Sequence, residues 1–226
     1  MSYLRSFFGG GGGDNGGRHE DDGGAEIVER LVERVQTSTT FEDRRDALKA
    51  LRSLAKKYRL EVGSMCFPAL VGILENDQNH SELLSMALDT LAVVITECDE
   101  NDSDDDTDEL GEKFAQIFIK DKRPVSMVLQ LLDSYEFSIR RPIIQLLTGL
   151  LRHRANEVQN ILMQDPMAIS RLLDLLQESR EVLRNDAVLM LSELTRGNPQ
   201  IQKLVAYENA FQLLFDVIGH ENSDSK

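Results

Sequence analysis

The sequence predicts an all-α protein, an armadillo/HEAT-like α-solenoid built as a right-handed superhelix of three-helix repeats. Two observations carry this prediction. After residue 24 only six glycines remain in 202 residues, and leucine, alanine, arginine, glutamate and lysine recur with apolar positions at helical spacing. The second half of the chain also repeats itself with a period of 44 residues. No segment has a convincing strand pattern, so a sheet is not expected.

Capping chemistry places the ends of the helices. Thr40 with Asp43, and Asn79 with Glu82, have the capping-box spacing, and Asp165-Pro166 and Asn198-Pro199 each place a capping side chain before a proline. Together with the apolar periodicity, these signals predict helices at residues 25–37, 41–58, 65–76, 80–96, 111–121, 124–134, 138–154, 155–164, 166–177, 179–196, 198–206 and 208–218.

The internal repeat is the most specific feature. A shift of 44 residues superimposes matching pairs along two long helices and their neighbours: Leu131-Leu132 on Leu175-Leu176, Ile139-Arg140 on Leu183-Arg184, Ile143 on Ala187, Leu146-Leu147 on Met190-Leu191, Leu150 on Leu194, Arg152 on Arg196, and Ile161 on Val205. Weaker copies precede them at 73–91 and 41–58. A period of 40 to 47 residues with two or three helices is typical of armadillo and HEAT repeats, whose apolar faces are buried by stacking on neighbours.

Composition divides the chain into segments. Nine of the 15 glycines fall in residues 1–24, which predicts a flexible N-terminal tail before a solenoid at residues 25–220. Residues 209–218 match a middle helix whose long partner is missing, which would leave an apolar face uncapped. We therefore expect residues 221–226 to mark a truncation point, with the chain a fragment or an alternative product of a longer protein.

Acidity is concentrated in one place. The net charge is −14, and nine acids lie between Glu97 and Glu109 with no base among them. This segment, taken as residues 97–110, is expected to be a disordered loop inserted between repeats, either merely solvated or a docking site for a basic partner. Asp102, Asp104 and Asp106 have the first spacing of a calcium-binding EF-hand, but the glycine and glutamate that should follow are missing, so no metal site is predicted. The acidity disfavours nucleic acid as a partner.

Catalytic signatures are absent from the sequence. It lacks the phosphate-binding glycine loop, the serine-hydrolase elbow, the zinc-protease helix and the paired-cysteine motif, and the four histidines are dispersed. We expect neither catalysis nor a cofactor. Cys66 and Cys98 are predicted to pack as small apolar groups in a reducing compartment, and no apolar run approaches the roughly 20 residues that cross a bilayer.

Two groups of polar residues are candidates for binding a protein partner. The first is a basic face on the helix at 41–58, where the spacing aligns most of its members: Arg44, Arg45, Lys49, Arg52 and Lys56. It is either a solvated helix face or a surface for an acidic protein or lipid headgroup. The second group starts the two long repeat helices and would lie in the groove of an armadillo stack, or would pair with neighbouring acids: Arg140, Arg141, Arg184 and Asn185.

Several stretches carry a family resemblance. Residues 42–63, the segment ALDTL at 87–91, FAQIFIK at 114–120 and above all PMAISRLLDLLQESREVLRNDAVLMLSELTRGNPQIQKLVAYENAF at 166–211 resemble the globular head of the general vesicular transport factors. These are coiled-coil tethers of endoplasmic reticulum to Golgi traffic. The similarity spans about residues 25–218, and the start Tyr3-Leu4-Arg5 before a glycine run is also similar to that family.

The resemblance implies a non-enzymatic, cytoplasmic protein that attaches peripherally to Golgi and transport-vesicle membranes. Its implied partners are a Rab-family GTPase, SNARE proteins and other Golgi tethers, the last mainly through a tail that this chain lacks and that makes the full-length protein a homodimer. An alternative is a generic armadillo adaptor that binds extended peptides, as nuclear import receptors or chaperone cofactors do. The absence of tryptophan counts against the import-receptor version.

Overall fold

The computed structural model describes residues 18–96 and 108–223, with side chains placed for residues 23–96 and 108–219. Within these ranges the chain is helical without strands, as predicted. The elements are α1 (Arg18–Thr37), α2 (Phe41–Leu54), α3 (Arg59–Asn76), α4 (Ser81–Thr96), α5 (Glu109–Ile119), α6 (Lys122–Leu131), α7 (Phe137–Leu162), α8 (Ala168–Asp174), a 3-10 helix (Leu175–Gln177), α9 (Glu181–Thr195), α10 (Pro199–Tyr207) and α11 (Ala210–Ser223).

The chain divides into two compact units, Met1–Val94 and Ile95–Lys226. In the first unit, α1 packs against both α2 and α3. The buried positions of α1 are Val28, Val32 and Val35, at the spacing of one helical face. The predicted stripe of α2 is also buried, with Ala47, Leu48 and Leu51 all at 1% exposure or less. These amphipathic faces form one apolar core.

Two helix boundaries in this unit differ from the prediction. The first helix begins at Arg18 rather than residue 25, passing through two glycines, and residues 1–17 of the predicted tail lie outside the described residues. Gly24 packs so closely on Tyr58 that a Cβ would sit 2.3 Å from the ring. The predicted helix 41–58 ends at Leu54, and the next begins at Arg59 rather than residue 65. At Gly24, this close packing accompanies a helical turn that local propensity disfavours.

Arginine side chains tie elements of the first unit together. Arg44 on α2 makes a bidentate pair with Asp77, at 2.8 and 2.6 Å, and its Nε donates to the carbonyl of Val35. Arg59, only 3% exposed, donates from Nε to the carbonyl of Val94 at 2.8 Å. Thr40 caps α2 by accepting from the amide of Asp43, as predicted.

The second unit contains the 44-residue repeat. Helix α7 is interrupted at Arg154 (φ −138°, ψ 51°), which confirms the predicted break between a long helix and a short one. The apolar pairs matched by the repeat are buried in both copies, apart from the half-buried Leu131. Helices α5, α6 and α9 all pack on α7. Each long helix therefore buries its stripe against neighbours, as armadillo-like repeats do.

The start of α5 makes polar contacts with the end of α4 and with α7. Asp108 caps α5 by accepting from the amide of Gly111 at 2.9 Å. His153 Nε2 donates to the carbonyl of Ile95 at 3.0 Å and lies 3.7 Å from the Asp108 carboxylate. Glu109 and Leu110 are helical rather than part of the predicted loop. Residues 97–107, which carry the rest of that loop, Cys98 and the calcium alternative, lie outside the described residues.

Cys66 is fully buried in α3, and burial raises the pKa of its thiol to about 12. The thiol therefore packs in its neutral form, as predicted for this cysteine. None of the helices in the described ranges is long and apolar enough to cross a membrane.

The tight junction at Gly111 gives a first prediction. A Cβ there would sit 2.6 Å from the Ile95 carbonyl, a backbone atom that cannot swing aside. We expect Gly111→Ala to lower the free energy of unfolding by about 1–3 kcal/mol, measured by urea denaturation followed by circular dichroism. The control is Gly72→Ala in α3, where nothing lies within 4 Å and the better helix former should raise stability by up to about 1 kcal/mol. Equal stability of Gly111→Ala and the wild type would contradict the crowding.

The Arg44–Asp77 pair gives a second prediction, about pH. Hydrogen bonds from the Arg44 guanidinium hold the pKa of Asp77 below its ordinary value, so the pair contributes stability above the unfolded pKa of about 3.9 and loses it as pH falls. At pH 7, Asp77→Asn should lower the free energy of unfolding by about 1–3 kcal/mol. The difference from wild type should shrink between pH 5 and pH 3. A difference in the free energy of unfolding that stays constant over this interval would show that the charge of Asp77 contributes nothing to stability.

Candidate functional site

The predicted basic face lies on α2, and its exposed members face acids on α4. Arg45 contacts Asp46 at 3.0 Å and approaches Glu82 at 4.0 Å. Arg52 pairs with Asp89 at 2.7 Å. Because Glu82 and Asp89 are seven residues apart, as Arg45 and Arg52 are, the two helices present matched rows of charge.

Lys49 lies between Arg45 and Arg52 on the same face and is exposed. It has no ion pair with a residue in the described ranges. Since Arg45 and Arg52 already have acidic neighbours, the surface is a mixed-charge strip centred on one lysine, and its positive potential is weaker than the count of bases predicts.

The other two members of the basic face have different positions. Arg44 has a side chain only 26% exposed and is committed to Asp77 and Val35 by the bonds already described. Lys56 lies beyond the end of α2 at Leu54, in the turn before α3. The sequence predicted a continuous helical face as far as Lys56 because it did not reveal the break at residues 55–58, and it did not reveal the distant acid that pairs with Arg44.

Arg140 is buried, with 6% exposure, at the start of α7. Its guanidinium donates to the carbonyls of Leu132 and Ser134, at 2.9 and 2.8 Å, and pairs with the carboxylate of Glu178. The same guanidinium lies 4.3 Å from the centre of the exposed Tyr135 ring. Arg140 therefore satisfies the carbonyls that end α6, and joins one repeat to the next.

The remaining three groove candidates are more accessible. Arg141 lies 3.5 Å from Asp186, an acid on α9. Arg184 donates from Nη1 to the carbonyls of Glu178 and Ser179, at 2.8 and 3.0 Å. Asn185 is exposed on α9.

Glu178 is the residue that the sequence reasoning missed. Its carboxylate pairs with Arg140 and its carbonyl accepts from Arg184, so it brings two predicted residues together. The 44-residue repeat could have identified this position, because Glu178 aligns with Ser134. The carbonyl of Ser134 accepts a hydrogen bond from Arg140, as the carbonyl of Glu178 accepts one from Arg184. The repeat thus reproduces the arginine–carbonyl contact.

An exposed apolar surface lies on α10 and α11. Phe211 and Phe215 are 64% and 66% exposed, and Tyr207 is 85% exposed. Val217 and Ala210 on the same helix as the phenylalanines are buried. Helix α11 therefore has apolar residues on two faces, of which one packs and the other is open in this structure.

The chain is similar to known vesicular transport proteins. It is 46% identical over 205 residues to "General vesicular transport factor p115" of Homo sapiens, which covers 88% of this chain and 21% of that protein. It is 31% identical over 196 residues to "Intracellular protein transport protein uso1" of Schizosaccharomyces pombe, covering 87% of this chain and 18% of the relative. The chain therefore spans about a fifth of the length of these relatives. No protein-family model matches it.

Solved structures agree with this relationship. The crystal structure of Uso1-1 superimposes with a TM-score of 0.78 at 25% identity, covering 88% of this chain and 33% of that one. The crystal structure of Uso1-2 gives a TM-score of 0.80 at 24% identity, which supports the fold. Over the aligned residues, this chain belongs to the family of the vesicular transport factors p115 and Uso1, and it has their armadillo-like helical repeats.

Proposed function

We propose that this chain is the head of a vesicle-tethering factor acting in endoplasmic reticulum to Golgi and intra-Golgi transport. The observation that carries the proposal is the 46% identity to a protein named for vesicular transport, over 88% of this chain. The chain acts as a binding module without catalysis, peripherally at Golgi and vesicle membranes. Its proposed partners are a Rab-family GTPase and SNARE proteins. We attribute neither homodimerisation nor binding of other Golgi tethers to this chain.

The proposed contact surface is the mixed-charge strip of Arg45, Lys49 and Arg52. Lys49 needs no rearrangement to meet an acidic partner. Arg45 and Arg52 are 34% and 50% exposed in their side chains, and a surface ion pair such as Arg45–Asp46 contributes about 0–1 kcal/mol. Exchanging the internal acids for a partner's carboxylates therefore costs little. Arg44 and Arg140 are excluded from the surface because each is committed to internal contacts.

Charge reversal of the strip tests the proposal. We expect Arg45→Glu, Lys49→Glu and Arg52→Glu together to weaken binding of a GTP-loaded Rab-family GTPase or a SNARE complex at least tenfold, since each lost charge-assisted contact is worth about 1.5–3 kcal/mol. The measurement is surface plasmon resonance with the 226-residue chain against a panel of both partner classes.

A matched triple variant controls for net charge. Arg152→Glu, Arg196→Glu and Lys203→Glu also replace two arginines and one lysine by glutamate, but at exposed positions of the second unit. This variant should bind as the wild type does, and circular dichroism should show both triples folded. Unchanged binding of every partner by the folded α2 triple would refute the surface assignment. Failure of the wild-type chain to bind any member of the panel would refute the tethering proposal for this part of the protein.

A further inference from the structure

Three corners of the second unit occupy equivalent positions in the 44-residue repeat: residues 119–123, 163–167 and 207–211. Each corner joins the end of one helix, α5, α7 or α10, to the start of the next. The first position of every corner is apolar, and the fifth position is apolar in the last two corners. These apolar residues are Ile119, Met163 and Tyr207 at the first position, and Met167 and Phe211 at the fifth.

Most of these apolar side chains are exposed. Met163 and Met167 are 37% and 54% exposed, and Tyr207 and Phe211 are 85% and 64% exposed, whereas Ile119 is half-buried. The helices α9, α10 and α11 follow the corner of Met163 and Met167, and both methionines are nevertheless exposed. Exposure at these positions is therefore a property of the repeat rather than of the last helix in the structure. Contiguous exposed apolar residues are typical of binding surfaces.

Two hydrogen bonds show that the corners adjoin one another. Lys122 in the first corner donates from Nζ to Oε1 of Gln164 in the second, at 3.0 Å. Ser170 on α8, three residues after Met167, donates from Oγ to the carboxylate of Glu208 in the third corner, at 3.3 Å. The exposed apolar side chains therefore form one ridge along the stacked repeats. We call it the corner ridge, and its members are Met163, Met167, Tyr207 and Phe211.

The spacing of the corner ridge fits an α-helix. Equivalent helices of neighbouring repeats pack directly on each other, as α7 and α9 do, and packed helices are about 8–10 Å apart. Seven residues of an α-helix rise about 10.5 Å. A helix along the ridge therefore places an apolar residue beside each corner if its apolar positions recur every seven residues. Methionine suits such a partner because its flexible side chain adapts to an apolar helix face.

The charges beside the ridge change sign along the stack. The first corner has three bases and one acid, whereas the third has one acid, Glu208, and no base. The acid of the second corner, Asp165, is paired with Arg171 at 3.2 Å. The equivalent positions Lys120, Gln164 and Glu208 show the same change from positive through neutral to negative. A helix with acids near one end and bases near the other complements this arrangement.

We propose that the corner ridge binds an amphipathic helix of a partner protein. The apolar residues of this helix recur every seven positions, with acids near its amino end and bases near its carboxyl end, an arrangement that its own dipole also favours. Its acids lie beside the first corner and its bases beside Glu208. An anionic lipid surface fits less well, because the third corner offers it an acid and no base. The proposal assigns a site other than the mixed-charge strip and does not rest on the tethering proposal.

The test uses the 226-residue chain and a fluorescein-labelled peptide of three heptads. The peptide has leucines at the first and fourth positions of each heptad, glutamates in the first heptad and lysines in the last. Fluorescence anisotropy at nanomolar peptide should show saturable binding. A peptide of the same composition whose leucines do not share a helical face should bind at least about tenfold more weakly. A peptide with glutamine in place of every charged residue should bind about twofold to fivefold more weakly.

Two double variants of the chain locate the site. Met167→Ala with Phe211→Ala should weaken peptide binding at least about tenfold, because two large apolar side chains are removed from the ridge. The matched control is Val182→Ala with Leu189→Ala, which removes side chains that are 48% and 55% exposed on α9. The control should bind as the wild type does. All four positions are exposed, and circular dichroism should show both variants folded.

Several results would overturn the proposal. One is equal binding of the two leucine peptides, and another is an equal loss of affinity in the two double variants. Equal binding of the uncharged peptide overturns the assigned orientation. Sedimentation with phosphatidylcholine–phosphatidylserine vesicles and analytical ultracentrifugation of the chain alone detect the other occupants. Vesicle binding or dimerisation that depends on Met167 and Phe211, without peptide binding, assigns the ridge to lipid or to a second copy and refutes the helix.

Discussion

The burial of one apolar stripe per long helix is the constraint on which the second unit depends. Leu146, Leu147 and Leu150 on α7 are fully buried, and their repeat equivalents on α9 are 6% exposed or less. No single helix can bury such a stripe alone, so each must pack against the next. Because the stripe fixes which face of each long helix is internal, it also fixes where charged residues can lie. They are confined to exposed faces and to helix ends.

Arginine side chains donate hydrogen bonds to the helix-end carbonyls that this stacking buries. The last carbonyls of a helix have no partner within it, and packing removes them from water. Arg59 donates to the carbonyl of Val94 near the end of α4, and Arg140 donates to the carbonyl of Leu132 after α6. A long side chain with several donors can satisfy such carbonyls from a neighbouring helix. Arginines at helix starts therefore have a structural role in this fold that is independent of any binding partner.

The sequence was sufficient to predict the helices and the repeat, because periodicity and capping are local signals. It failed where contacts between residues distant in the chain determine the local structure. The helix through Gly24 exists although glycine is a poor helix former, because the ring of Tyr58 lies against it. The basic face was recognisable from spacing alone, but its acidic partners Asp77, Glu82 and Asp89 are distant in the chain. Relatives in turn identify the family without indicating which of these charges a partner uses.

Energetics separates the charges that a partner can use from those it cannot. An ion pair in which water reaches both ions, such as Arg45–Glu82, contributes little, since water screens both charges and solvates each of them when they separate. The buried pair Arg140–Glu178 differs, because removing one partner leaves an uncompensated charge out of water, at a cost of about 3–5 kcal/mol. A binding surface therefore cannot be read from the number of basic residues. The exposure of each ion pair is a better guide, which is why the proposed contact surface comprises Arg45, Lys49 and Arg52, while Arg44 and Arg140 make internal contacts that stabilise the fold.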